Sequence, residues 1–199
     1  MDSLTRLFAA FDPDGGAIDG CPVTRRHLSD LPDTFADEGA YKRLLQSGNP
    51  LVYSVSTFDT AEGEGALHCG LGIISPGTVG DEYFMTRGHL HARRNTAEFY
   101  IGLRGRGVML LEQEDGSGHR SVDLLPHSLV YVPGETAHRT VNTGNEPLVY
   151  LGVYPADAGH DYAAIGRRNF LSVVVARNGH PAVIPRETYN KDRQARTAP

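Results

Sequence analysis

The chain has 199 residues, enough for one domain. Nineteen Lys and Arg stand against 24 Asp and Glu, a net charge of −5, which argues against a nucleic-acid surface and a polybasic membrane anchor. Hydrophobic residues make up 40%, sufficient for a core, and 23 Gly with 12 Pro point to many turns between short strands.

No apolar run approaches the ~20 residues of a membrane helix. The start, MDSLTRLFAAFDPDGG, lacks the basic, apolar and small-residue order of a cleavable signal. Cys21 and Cys69 lie far apart, so reduced thiols in the cytoplasm are the simplest reading.

Residues 1–50 read as a helical and irregular arm. LTRLFAAF (4–11) suggests one or two amphipathic turns, broken at Asp12-Pro13-Asp14-Gly15-Gly16. A second helical patch runs from Asp33 to Gln46 and closes at Ser47-Gly48 and Asn49-Pro50. From Leu51 the pattern becomes strands and turns. LVYSVSTF (51–58) alternates, and two strand-like runs flank Pro76-Gly77. Residues 97–116 read as strand, glycine turn, strand. Residues 119–159 continue in short strands, and 170–185 forms a hairpin about Asn178-Gly179. Residues 51–185 therefore form an all-β sandwich or small barrel. The final stretch, 186–199, is polar and expected to fray.

The chemistry concentrates in Gly88-His89-Leu90-His91-Ala92-Arg93-Arg94-Asn95-Thr96-Ala97-Glu98. In extended chain, residues i and i+2 share a face, so His89 and His91 aim together with Leu90 opposite. A turn at Arg93-Arg94-Asn95 returns Glu98 on the next strand as an oxygen ligand. His138 follows the tight turn Pro133-Gly134 and supplies the fourth ligand. Three imidazoles and a carboxylate suit Fe, Mn, Zn, Co or Ni about equally. The remaining residues His27, His68, His119, His127 and His180 lack this pattern. No Ser has a nucleophile-elbow context, and Gly102-Leu103-Arg104-Gly105-Arg106-Gly107 lies between strands, where a hairpin turn is the better reading than a nucleotide loop.

These two segments resemble the paired motifs of the cupin superfamily. The first gives His89, His91 and Glu98, with Gly105 seven residues after Glu98; the second gives Pro133, Gly134, His138 and Asn142. Six residues separate His91 from Glu98, a longer loop than the general cupin pattern has. With that loop, the chain resembles a narrower group, the cupin-type phosphoglucose isomerases. The strings carrying this are Ser75-Pro76-Gly77-Thr78-Val79, Thr86-Arg87-Gly88-His89-Leu90-His91, Thr96-Ala97-Glu98-Phe99-Tyr100, Ala137-His138-Arg139-Thr140-Val141-Asn142, and Val153-Tyr154-Pro155-Ala156-Asp157-Ala158-Gly159-His160-Asp161-Tyr162.

The resemblance implies a cupin double-stranded β-helix, or jelly-roll barrel, with the short N-terminal arm added. It implies a metal-dependent interconversion of glucose 6-phosphate and fructose 6-phosphate, by a cis-enediol route or a hydride shift, the former favoured. His89, His91, Glu98 and His138 would hold one divalent ion per subunit, Fe2+ first, with Mn2+, Zn2+, Co2+ or Ni2+ as alternatives. Glu98 would act as base, Tyr100 would orient it or bond substrate, and His160 would serve ring opening. Tyr53, Thr86 and Gly88 match phosphate-binding positions. Tyr154, Asp157 and Tyr162 fall in a distal segment that closes the pocket, where Asp157 would orient His160. Arg87 and Arg93 would add positive potential at the mouth. The sugar phosphate would be the partner, with neither nucleic acid nor membrane, and cupins pair into homodimers. The alternatives are mannose-phosphate isomerisation, an Fe(II) dioxygenase, or a non-catalytic cupin that binds a sugar phosphate.

Overall fold

The fold is given by a computed structural model, which describes residues 7–59 and 61–197. Strands β1 (Phe11–Asp12) and β2 (Ala17–Ile18) pair as a small hairpin. The Asp12 carboxylate accepts from the Asp14 N–H at 2.8 Å, and the Gly16 N–H donates to the Asp12 carbonyl at 2.9 Å. These bonds turn the chain back on itself, so Phe11 enters a strand rather than the end of a helix. The remainder of the helical expectation for 4–11 is not met at residues 7–10, and residues 4–6 lie outside the described residues.

Strand β3 (Val23–His27) and helix α1 (Glu38–Gly48) follow. Asp37 caps the helix by accepting from the Ala40 N–H, and Asn49 ends it in the left-handed region at φ 45°. The helix starts later than the sequence suggests, because Asp33 itself has φ 62° and Asp37 is the capping residue. The arm is thus not only helical and irregular: β3 is a full strand of the barrel wall.

The strand region is β4 (Leu51–Phe58), β5 (Leu67–Ile74), β6 (Thr78–Val79), β7 (Glu82–Tyr83), β8 (Glu98–Arg104), β9 (Gly107–Gln113), β10 (His119–Leu124), β11 (Leu129–Val132), β12 (Thr136–Asn142), β13 (Leu148–Pro155), β14 (Ser172–Arg177) and β15 (His180–Pro185). One antiparallel sheet runs β11-β8-β13-β5-β4-β3. The others are β10-β9-β12 and β15-β14-β7-β6. Bridges Met85↔Val141 and His89↔His138 extend the β12 edge. The result is the expected all-β barrel. Its core holds Val52, Ile74, Leu90, Val130, Val141 and Leu148, all at most 3% exposed. Each such side chain contributes about 1.5–3 kcal/mol by leaving water.

The β14–β15 hairpin turns at Asn178 and Gly179, both at positive φ, as the Asn-Gly signal predicts. In the polar stretch expected to fray, residues 198–199 lie outside the described residues, and Arg186–Thr197 form α2, anchored by Tyr189. That ring is fully buried against Val173 and Val175, and its hydroxyl donates to Asp81. One apolar anchor in a charged run leaves no stripe to read, yet it suffices to dock the helix. Among the described residues, Cys21 and Cys69 form no disulfide.

Candidate active site

Three elements bring the ligand set together. His89 and His138 form a closed antiparallel pair, with N–H to carbonyl distances of 3.1 and 3.0 Å. His91 follows on the same face, and Leu90 turns into the core at 1% exposure, as the alternation predicts. Glu98 opens β8 beneath them. One ligand atom from each of His89, His91, Glu98 and His138 lies within 4.8 Å of the others. Glu98 Oε2 is 3.1 Å from His138 Nε2 and 3.3 Å from His91 Nε2.

Neighbouring groups fix which nitrogen points inward. His91 Nδ1 sits 3.0 Å from the Thr96 carbonyl and 2.9 Å from the Thr96 hydroxyl; that hydroxyl donates to the Arg93 carbonyl at 2.6 Å. His91 Nδ1 is therefore the protonated nitrogen. His138 Nδ1 is likewise 3.2 Å from the Thr136 carbonyl. Both rings then turn a lone pair at Nε2 to the centre. The Nε2 atoms of His89, His91 and His138 and Glu98 Oε2 are buried with no hydrogen-bond partner. Four convergent, unsatisfied ligand atoms would be costly in a closed protein interior, and a divalent ion satisfies all of them. The residues fit the metal.

Burial alone would raise the Glu98 carboxyl; where protons rather than an ion are shared in the centre, His138 and His91 donate to it from Nε2, outweigh burial and hold it down at about 2. Burial, then the coupling to the neighbouring imidazoles that crowd it, pushes His89 well below the ordinary imidazole value, so it stays neutral. Tyr100 is raised by burial and by the Glu98 charge, to which its hydroxyl bonds. The second carboxylate oxygen of Glu98 points at β13. A β-carbon built on Gly152 would stand 2.8 Å from Glu98 Oε1, so the glycine leaves that oxygen its room.

A cavity of about 280 Å³ opens onto this centre. Of the residues singled out from the sequence, Tyr53, Thr86, Gly88, His89, Glu98, Tyr100, His138, Tyr154, His160 and Tyr162 line it. His91 stands behind the others, 4% exposed. His160 packs on His89 with centroids 4.3 Å apart and stacks on Tyr162 at 5.9 Å. Asp157 is not in the lining. Its carboxylate pairs with Arg93. The two form an ion pair through Asp157 Oδ2. Arg87 lies over the Tyr162 ring at 5.0 Å.

The sequence reading missed Thr24, Arg26, Val55, Thr57, Gly70, Gly72, Tyr150 and Gly152, which complete the lining. Alternation was the available signal. Tyr150, Gly152 and Tyr154 share one face of β13, and Tyr53, Val55 and Thr57 share one face of β4.

The model of a family described as glucose-6-phosphate isomerase matches residues 25–192. The chain belongs to that family. Among curated relatives, the glucose-6-phosphate isomerase of Pyrococcus horikoshii is 43% identical over 87% of this chain and 91% of its own length. That of Thermococcus kodakarensis is 44% identical over 87% and 90%. Among solved structures, oxalate decarboxylase from Bacillus subtilis aligns with a TM-score of 0.44 and 21% identity, covering 73% of this chain and 32% of that one. A recombinant oxalate oxidase bound to glycolate aligns with a TM-score of 0.47 and 14% identity, over 59% and 58%. The family match begins within β3 and ends within α2.

Proposed function

We propose that the chain is a metal-dependent glucose-6-phosphate isomerase, interconverting glucose 6-phosphate and fructose 6-phosphate in glycolysis and gluconeogenesis. The observation that carries this is four convergent ligand atoms facing a cavity lined with hydroxyls, in a member of the isomerase family. A divalent ion held by His89, His91, Glu98 and His138, Fe2+ first and Mn2+, Zn2+, Co2+ or Ni2+ otherwise, would supply Lewis-acid polarisation of the substrate oxygens at C1 and C2.

The protein's own groups do the rest. Glu98 is ionised at neutral pH and uses Oε1, on the Gly152 side, to carry a proton between C2 and C1 along a cis-enediol path. Tyr100 donates to that carboxylate and holds its plane. His160 stands at the rim, where an imidazole can pass a proton to the ring oxygen as the sugar opens. Thr86, Tyr53 and the backbone at Gly88 receive the phosphate, and Tyr154 and Tyr162 bind sugar hydroxyls. Asp157 acts through Arg93 in holding the distal segment.

A homodimer is supported by Phe99, Leu129 and Tyr131, exposed together on the outer face of β8 and β11, where β11 leaves an unpaired edge. No helix among the described residues is long and apolar enough to cross a membrane. The expected compartment is the cytoplasm.

A coupled assay of fructose 6-phosphate to glucose 6-phosphate, before and after EDTA, tests the function. Turnover should disappear with the metal and return with divalent ions. Glu98→Gln should lose turnover, and His89→Ala should lose bound metal as well. Metal-replete protein with no turnover, or one that consumes oxygen, would reject the assignment.

A further inference from the structure

We propose that Arg26, carried by β3 from the N-terminal segment, is the phosphate-binding cation of the cavity. The proposal rests on the sugar-phosphate reading above and names a residue for it.

Apart from its imidazoles, the cavity has one cationic side chain among its described lining residues, Arg26. Thr24 and Arg26 share a face of β3 and stand in register with Val55 and Tyr53 of β4, so the alternation of both strands aims them at the same space. The register of β3 slips between Arg26 and His27. Such irregularities bend a strand and re-aim a side chain, and they concentrate beside active sites.

The position along the wall matters. Glu98 lies on β8, and β13, β5 and β4 separate β8 from β3. At ~4.8 Å per strand a flat sheet would set the two strands about 19 Å apart. Arg26 and Glu98 thus reach the same cavity from strands four spacings apart in the sheet, so Arg26 can act on the end of a substrate away from the metal ligands. The reacting carbons of a hexose 6-phosphate are at one end and its dianion at the other.

The neighbours fit an anion. Tyr53 is raised by burial and by Tyr162, and is drawn back down by the Arg87 backbone and by Arg26, whose side chain hydrogen-bonds its hydroxyl. Thr86 Oγ1 accepts from the Thr140 N–H at 3.1 Å and keeps its own proton to donate. Gly88 has φ 75°, and a β-carbon there would meet the Phe170 ring at 2.6 Å. No side chain therefore shields the backbone at that point. A phosphate monoester carries about −1.5 to −2 charge at neutral pH. Hydroxyls and amide N–H groups bind its oxygens but leave the charge uncompensated. A guanidinium supplies both the charge and a two-pronged donor.

The test uses the full-length, metal-loaded chain and the variants Arg26→Ala and Arg26→Lys. Metal content is measured first and should match the parent protein. Calorimetry and the coupled assay then give Kd and KM for fructose 6-phosphate, and inhibition constants for inorganic phosphate and for unphosphorylated fructose. Arg26→Ala should weaken fructose 6-phosphate and inorganic phosphate at least tenfold, with the loss larger in KM than in kcat. Fructose should be unaffected, and Arg26→Lys should recover part of the loss. Unchanged phosphate and fructose 6-phosphate binding would overturn the proposal. So would equal weakening of fructose, which would mean that Arg26 only props Tyr53. Phosphate binding that depends on Arg26 in a protein without turnover would support this assignment and defeat the isomerase reading alone.

Discussion

Arg94 donates to Asp161 at 2.6 Å, and with the same guanidinium it holds the backbone carbonyl of His91 at 2.5 Å. Its other two contacts, 2.8 and 3.0 Å, form a fork on Glu114 at the end of β9. Asp161 is also bridged through its backbone to Leu90, with bonds of 3.2 and 2.7 Å. One side chain therefore ties the candidate metal-ligand segment to the segment that carries His160 and Tyr162. A change at Arg94 reaches both the ligands and the rim.

Arg94→Ala should accordingly weaken metal binding about tenfold, the lower range for groups that orient ligands. Asp161→Ala should produce part of the same loss. The two changes should be non-additive, because both break one network. Competition with a metal-sensitive chelator dye on the two single variants and the double variant checks this. Additive losses would mean that the residues act separately.

The same contact carries a pH signature. The Arg94 side chain, then the Ala164 backbone N–H, holds the Asp161 carboxyl below its ordinary value. A carboxyl lowered in the folded state stabilises the fold above its unfolded pKa, near 3.9, and that contribution is lost as pH falls through the lower folded value. The segment around Asp161 should therefore stay closed at neutral and mildly acidic pH and loosen only in stronger acid. In Arg94→Gln, the Asp161 titration followed by carbon NMR should move up toward about 3.9. A titration that does not move would assign the lowering to the backbone alone.

Gly152→Ala tests the room kept for the carboxylate proposed as base. Its β-carbon would be 2.8 Å from Glu98 Oε1, closer than side-chain carbons pack. The backbone there is in β13, central in its sheet, so the carboxylate must yield rather than the strand. Misplacing a reacting group by about 1 Å can cost on the order of 100-fold in rate. We expect kcat to fall by about that factor with the melting temperature little changed. An unimpaired enzyme would place the base elsewhere.

The barrel and its ligands were legible because their signals are periodic and local. His89 and His91 alternate about a core leucine, and Asn178-Gly179 announces its own turn. Glu98 and His138 were readable from spacing and from the Pro133-Gly134 turn. The lining contributed by β3 was not. Arg26 stands in a segment that looks helical and irregular, and its place at the cavity follows from a sheet pairing with β4 that no local pattern encodes. Asp157 shows a related limit of local reading. The sequence puts it near His160, but Arg93, distant in the chain, takes its carboxylate. Long-range ion pairs override local proximity here, and the sequence carries no record of them.

The C-terminal helix gives the last prediction. Tyr189 is fully buried beneath α2 and is the side chain of that helix in the small core with Val173 and Val175. Its hydroxyl bonds Asp81, which raises the phenol well above its ordinary value, after burial. Removing the ring leaves a cavity that the flanking charged residues cannot fill, so Tyr189→Ala should cost about 3–5 kcal/mol in urea unfolding. Tyr189→Phe keeps the packing and loses the hydrogen bond, and should cost about 1 kcal/mol. Ala36 and Asp37, which begin the approach to α1, bond to Arg193 of the same helix, the carboxylate of Asp37 at 2.9 Å. The loss should therefore spread to the Asp37 cap and be visible as faster amide exchange in α1. An exchange pattern confined to α2 would show that the helix docks without supporting the N-terminal segment.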